Sequence, residues 1–185
     1  MNESARKRLL QIARLSVAEA VQGKPLPKLD ESDPELQGKQ GCFVTLKNGE
    51  NLRGCLGHFT SAKPLWKLVN ETARASATED PRFWSRPITP DELDHLNIEI
   101  SVLSPLQRIA NPLAIELGVD GIYIRRGAAA GCFLPQVATE TGWSKEEFLS
   151  HCCSHKAGLS ADAWRDPETE VLTFQAEVFG EAEQS

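Results

Sequence analysis

The chain has 185 residues, 41% hydrophobic and 25% charged, with a formal net charge of −6. That length allows one substantial core, or one domain with a smaller lobe, and that balance excludes disordered and fibrous classes. The 20 basic residues are scattered among 26 acidic ones with no stripe of interleaved aromatics, so no nucleic-acid partner is expected.

The opening stretch from Met1 to Arg14 is basic, but Gln11 and Arg14 interrupt its apolar residues and no cleavage pattern follows, so it reads as mature protein. No apolar run approaches the roughly 20 residues that a membrane-spanning helix needs. Five cysteines, odd in number and without framework spacing, are expected as reduced thiols. A cytoplasmic protein with no membrane attachment is the resulting expectation.

Ser4 can cap a helix in which Leu9, Ile12, Ala13, Val17, Ala20 and Val21 repeat with helical period until Gly23. From Lys24 to Gly38 the prolines and the lack of a period predict an extended surface connection. Cys42 to Leu46 and Leu52 to Leu56 flank Asn48-Gly49, the strongest short-range hairpin signal. Strand alternation then sends Leu52, Gly54 and Leu56 to one face and Arg53 and Cys55 to the other.

A second helix is predicted from Ser61, with Pro64 in its first turn and Leu65, Leu68, Val69, Thr72, Ala73 and Ser76 on the packed face. Pro81 in Asp80-Pro81-Arg82-Phe83-Trp84 breaks it, and Thr89 can cap a short helix to Leu96. Ile98, Ile100 and Val102 alternate with Glu99 and Ser101 in a strand, and Gly121–Arg126 with Gly131–Leu134 reads as a glycine-rich hairpin. Ser144 with Glu147 forms a capping box for a helix to about Gly158. Val171 to Phe179 reads as one long strand, with Leu172, Phe174, Ala176 and Val178 on one face. Hairpin signals outnumber parallel crossover patterns, so the fold class is α+β with a mainly antiparallel or mixed sheet and packed helices.

The candidate chemistry centres on Cys55 and Arg53. A cation beside a thiol favours the thiolate, which is both nucleophile and metal ligand, while Gly54 and Gly57 permit close approach of a ligand or of another backbone. The competing reading is a core cysteine with Arg53 in a salt bridge. Glu99 is the carboxylate inside the most apolar strand and faces either solvent or a cleft, where it would serve as base or ligand. Asp80 and Arg82 pair locally or bind an anion. Gln136 places an amide at a cleft mouth or merely starts a helix. His151 and His155 are four apart, but no partner motif completes a metal site, so neither metal nor cofactor is assigned. Phosphate-loop, dinucleotide, serine-hydrolase and radical-cluster signatures are absent from the sequence.

Together L-R-G-C-L-G at Leu52, D-P-R-F at Asp80, I-E-I-S-V-L-S-P at Ile98, L-P-Q-V-A at Leu134, E-x-F-L at Glu146 and K-A-G-L at Lys156 resemble the AMMECR-domain family, also called AmmeMemoRadiSam system protein A. The resemblance spans about Gly41 to Phe179. It implies a larger and a smaller lobe around a cleft that holds the L-R-G-C motif, in a single AMMECR-type domain over residues 1–185. It also implies Memo-type and radical-SAM proteins as partners in a shared modification or metabolic pathway. In one departure, Ser154 stands where the family's usual pattern has a cysteine two residues before Lys156, which weakens a required role for that helix thiol. The resemblance names no reaction, and two expectations follow. Either the chain is an enzyme component using Cys55, Arg53 and Glu99, with Gly54, Gly57, Arg82 and Gln136 as binding positions, or it is a non-catalytic binding or scaffold protein.

Overall fold

The computed structural model describes residues 1–181. In chain order its regular elements are α1 (Glu3–Val21), β1 (Cys42–Asn48), β2 (Asn51–His58), α2 (Leu65–Thr78), β3 (Leu96–Leu103), β4 (Gln107–Arg108), β5 (Gly121–Arg126), β6 (Ala129–Phe133), α3 (Pro135–Thr141), α4 (Lys145–His151), β7 (Glu170–Phe174) and β8 (Ala176–Gly180). They form two compact units. The larger comprises Met1–Leu103 with the described residues 177–181, and the smaller is Ser104–Ala176.

In the larger unit the sheet order is β2-β1-β3-β8, with β1 antiparallel to both β2 and β3. Val44, Leu46, Ile98 and Ile100 share one face and are fully buried with Leu9, Ile12 and Val17 of α1 and Leu65, Val69 and Ala73 of α2. This burial of periodic apolar faces supplies the main favourable term for the unit. Asn2, not Ser4, caps α1: its side chain accepts the Ala5 N–H at 2.8 Å, so the helix starts two residues earlier than expected. The proline-rich connection is mostly extended but pauses in a 3₁₀ turn, Pro34–Leu36, whose Leu36 is wholly buried.

α2 begins at Leu65, directly after Pro64, and buries the predicted face together with Asn70. Asp80 then caps a 3₁₀ turn over Pro81–Phe83, and a second 3₁₀ segment follows Thr89 over Pro90–His95.

The smaller unit has a sheet of order β4-β7-β5-β6. Ile122, Ile124, Phe148, Leu149, Cys152 and Val171 are buried at its core. The capping box at Ser144 is present, and α4 continues through a π-helical turn, Cys152–Lys156.

The expected single strand from Val171 to Phe179 is two strands. β7 belongs to the smaller unit's sheet and β8 to the larger's, with Gln175 between them. Ser104 Oγ accepts the Gln175 N–H and the Ser104 N–H donates to Gln175 O, both at 2.9 Å, so hydrogen bonds that would have continued the strand go to Ser104, just beyond the end of β3. The predicted common face fails with it, because Phe174 is buried and Val178 is 41% exposed.

Candidate functional site

The β1–β2 hairpin turns on Gly49 and Glu50, and Gly49 adopts φ +56°, which favours glycine. Its register pairs Thr45 with Cys55, while β3 pairs Glu99 with the same Thr45. Residues directly opposed in antiparallel ladders point to the same side. Cys55, Thr45 and Glu99 therefore form one row across three strands, on the face opposite the buried Val44 and Leu46. Thr45 Oγ1 donates to Cys55 Sγ at 3.3 Å, and Glu99 forms an ion pair with Lys47 at 3.7 Å.

Arg53 departs from the simple alternation. The register slips between Leu46 and Lys47, which face Gly54 and Leu52, so Arg53 is the extra residue of a β-bulge. Its side chain, 6% exposed, is used elsewhere. Nε and Nη2 each donate at 3.0 Å to the Glu92 carboxylate, and Nη2 also reaches the carbonyls of Arg86 and Pro87 at 3.1 and 3.3 Å. Nη1 is buried without a hydrogen-bond partner. None of these bonds goes to Cys55, so the expected Arg53–thiol contact is replaced by a structural ion pair. The Arg53 guanidinium beside Glu92 holds that carboxyl below the usual carboxylate range, with burial opposing.

The guanidinium that attends Cys55 belongs to Arg82. β2 is an edge strand, and the backbone of Cys55 is met there by side chains: Asp80 Oδ2 accepts the Cys55 N–H at 2.9 Å and Arg82 Nη2 donates to Cys55 O at 3.1 Å. Asp80 and Arg82 are themselves joined through Nε at 2.9 Å and Nη2 at 2.6 Å. The pair thus presents an acceptor and a donor in the manner of a neighbouring strand, and it occupies an edge that would otherwise invite pairing. Asp80 is almost wholly buried, and the Arg82 guanidinium holds its carboxyl below the ordinary range, with the Cys55 and Arg82 N–H groups adding to the effect against burial.

Gly54 and Gly57 serve close packing. A Cβ on Gly54 would lie 1.9 Å from Ser76 O, and one on Gly57 would lie 2.4 Å from Cys42 O and from the Phe43 ring. The Ser76 hydroxyl bridges the two strands, accepting from the Leu56 N–H at 3.0 Å and donating to Val44 O at 2.8 Å.

A family model described as AMMECR1 matches residues 10–179 of the chain. The chain belongs to the AMMECR1 family. It is 44% identical over 180 residues to a protein of Methanothermobacter thermautotrophicus, covering 94% of this chain and 92% of that one. A Nanoarchaeum equitans protein is 43% identical over 180 residues, with 94% and 98% covered. The crystal structure of protein PH0010 from Pyrococcus horikoshii superposes with a TM-score of 0.83 at 40% identity, covering 94% of this chain and 89% of that one.

In this AMMECR1-family chain Gln136 lies in the smaller unit, in the first turn of α3, where its carbonyl accepts from Thr139 Oγ1 at 2.8 Å. The structure therefore brings Cys55, Glu99, Gly54 and Gly57 together on one sheet with Arg82 bonded to its edge, and Gln136 stands in a different unit. His151 and His155 stack at 5.0 Å between ring centroids, with Trp143 4.2 Å from His151. Among the described residues no group of three or more His, Cys, Asp or Glu is placed to hold a metal ion, and no helix is long and apolar enough to cross a membrane.

All five cysteines are free thiols. Burial pushes Cys42 up to about 12 and Cys132 up to about 11, and it raises Cys152 and Cys153 as well. Sequence reasoning missed Thr45 and Glu92, and it placed Ser76 on the packed face of α2 without its bonds to Val44 and Leu56. Thr45 could have been found by counting the hairpin register from Gly49, although the bulge displaces the count by one. Glu92 carries a local signal as the fourth residue of the Thr89 capping box, but its pairing with Arg53 carries none, because the two are 39 positions apart.

Proposed function

We propose that this chain is a thiol-bearing component of a modification or metabolic pathway, with Cys55 as its nucleophile or thiolate ligand. The observation that carries the reading is the state of Cys55: a partly exposed thiol with a hydroxyl donor at its sulfur and both backbone groups tied by Asp80 and Arg82. Such restraint holds a reacting atom in place without occupying it. Arg82, half exposed, is the cation available to an anionic group near the thiol, and Glu99 lies in the same row as the acid–base group. Arg53 acts indirectly, by holding the 86–92 segment against β2. The motif resemblance supports Memo-type and radical-SAM proteins as the partners, in a cytoplasmic setting.

The test is anaerobic reconstitution with those partners, followed by intact mass measurement. A mass increment on the wild-type chain that disappears in Cys55→Ser, with the variant's thermal unfolding unchanged, is the expected result. Full pathway output from Cys55→Ser would overturn it.

A second reading also has a specific observation behind it. Arg53, Gly54 and Gly57 each have a packing task, so the motif would shape the edge strand even if the thiol did nothing. In that case the chain is a binding or scaffold protein, and Cys55→Ser would bind the partners as tightly as wild type and support full output.

A further inference from the structure

Between Pro81 and Pro90 the chain reads P-R-F-W-S-R-P-I-T-P, with two arginines and no carboxylate, inside a protein of net charge −6. Trp84, at its centre, is 68% exposed, the most exposed of the large apolar side chains described, whose next values are 41%. An indole held in water is costly, and an isolated exposed Trp flanked by arginines has the composition of an interface hot spot.

The two arginines differ in their partners. Arg82 has one carboxylate partner, Asp80, which is only 2% exposed while the Arg82 side chain is 55% exposed. Among the described residues none forms an ion pair with Arg86, which is also exposed. Next to the indole lies a recess of about 190 Å³ lined by Val21, Ala77, Phe83, Trp84, Pro87 and Ile88. Its remaining lining includes Ala20 and three polar residues, Ser76, Thr78 and Asp80, the last of which is engaged by Arg82, so the aliphatic and aromatic side beside Trp84 is the part that suits a single aliphatic side chain.

The segment is also rigidly registered. Arg53 grips the carbonyls of Arg86 and Pro87 from beneath, and Arg82 is bonded to Cys55 O. The Phe83 ring lies 6.0 Å from the Arg53 guanidinium and 5.5 Å from that of Arg82. A surface so fixed loses little entropy when it is covered.

The geometry points to a docking surface formed by Arg82, Trp84 and Arg86 for an acidic segment of a partner protein, one that seats an aliphatic side chain in the recess beside Trp84 and sets carboxylates against the two arginines. Charge complementarity selects this occupant: a basic segment would meet the Arg86 guanidinium, which has no ion-pair partner among the described residues, and the exposed part of Arg82. The inference shares Arg82 with the proposed site at Cys55, but it concerns binding and holds whether or not the thiol reacts.

The experiment uses the full chain labelled with ¹⁵N, and the indole N–H resonance of Trp84 is assigned by its loss in Trp84→Phe. Two blocked pentapeptides serve as probes, each with a central leucine, flanked in one by glutamates and in the other by lysines. The glutamate peptide is expected to shift the Trp84 resonance saturably, and the lysine peptide to leave it in place. Arg86→Glu, at an exposed position outside the Cys55 clamp, should weaken binding about tenfold or more while the thermal midpoint is unchanged. Replacing the central leucine by glycine should also weaken it. No shift with the glutamate peptide at ~5 mM, or equal shifts with both peptides, overturns the proposal. Concentration-dependent self-association that Trp84→Ala abolishes overturns it too, since the surface would then belong to a second copy of the chain.

Discussion

At the scale of single residues, the L-R-G-C-L-G segment separates into positions that hold a shape and one, Cys55, that is proposed as the reactive thiol. Gly54 is the most constrained, because any side chain there meets the backbone of α2 at Ser76, which cannot swing aside. Gly54→Ala should destabilise the protein by about 3 kcal/mol or more, measured by denaturant unfolding. Asp80 gives a pH-dependent counterpart. Its carboxyl is depressed in the folded state, so its contribution is fully present above the unfolded value of about 3.9 and is lost as pH falls through the lower folded value. Asp80→Asn should therefore flatten the acid limb of the stability profile below about pH 4. Because the Arg82 end is 55% exposed, the loss at neutral pH should be modest, about 1–2 kcal/mol.

At the scale of elements, the critical joint is where α2 meets the β1–β2 pair. Ser76 sends its hydroxyl between the strands and bonds to both, so it stands in for part of the ladder at Val44 and Leu56. Ser76→Ala should leave a buried N–H and a buried carbonyl less well satisfied and cost about 1–3 kcal/mol, with faster amide exchange at Leu56 as the local readout. The same joint explains how far the hairpin was legible. Asn48-Gly49 announced the turn and the apolar alternation announced the strands, and both are present. The bulge at Arg53 was not legible, because it answers to Glu92 and to the carbonyls of Arg86 and Pro87, which lie more than thirty residues away.

At the scale of the whole molecule, each unit has a core of its own. Phe148, fully buried in the smaller unit, should cost about 3–5 kcal/mol when replaced by alanine. Hydrogen exchange should place the loss of protection first in residues 104–176, and uniform loss over the chain would contradict that division. Thiol accessibility offers a second global check. Burial holds Cys42, Cys132, Cys152 and Cys153 in their protonated forms, so native alkylation near pH 8 should mark Cys55 first and all five thiols only after unfolding.

By itself the sequence determined the elements whose signals are local: the periodic faces of α1 and α2, both glycine-turned hairpins, the capping box at Ser144 and the family of the chain. Those features depend on neighbours within a few positions, so one pass along the chain contains their causes. Only the tertiary structure decided that Val171 to Phe179 divides between two sheets, since pairing partners on different sheets compete for one stretch of extended chain. It also decided the surroundings of L-R-G-C-L-G. Alternation alone put Arg53 beside the thiol, but a buried guanidinium goes where carboxylate and carbonyl oxygens can satisfy it. Those acceptors lie along the 86–92 segment, which left the edge of β2 at Cys55 to Asp80 and Arg82.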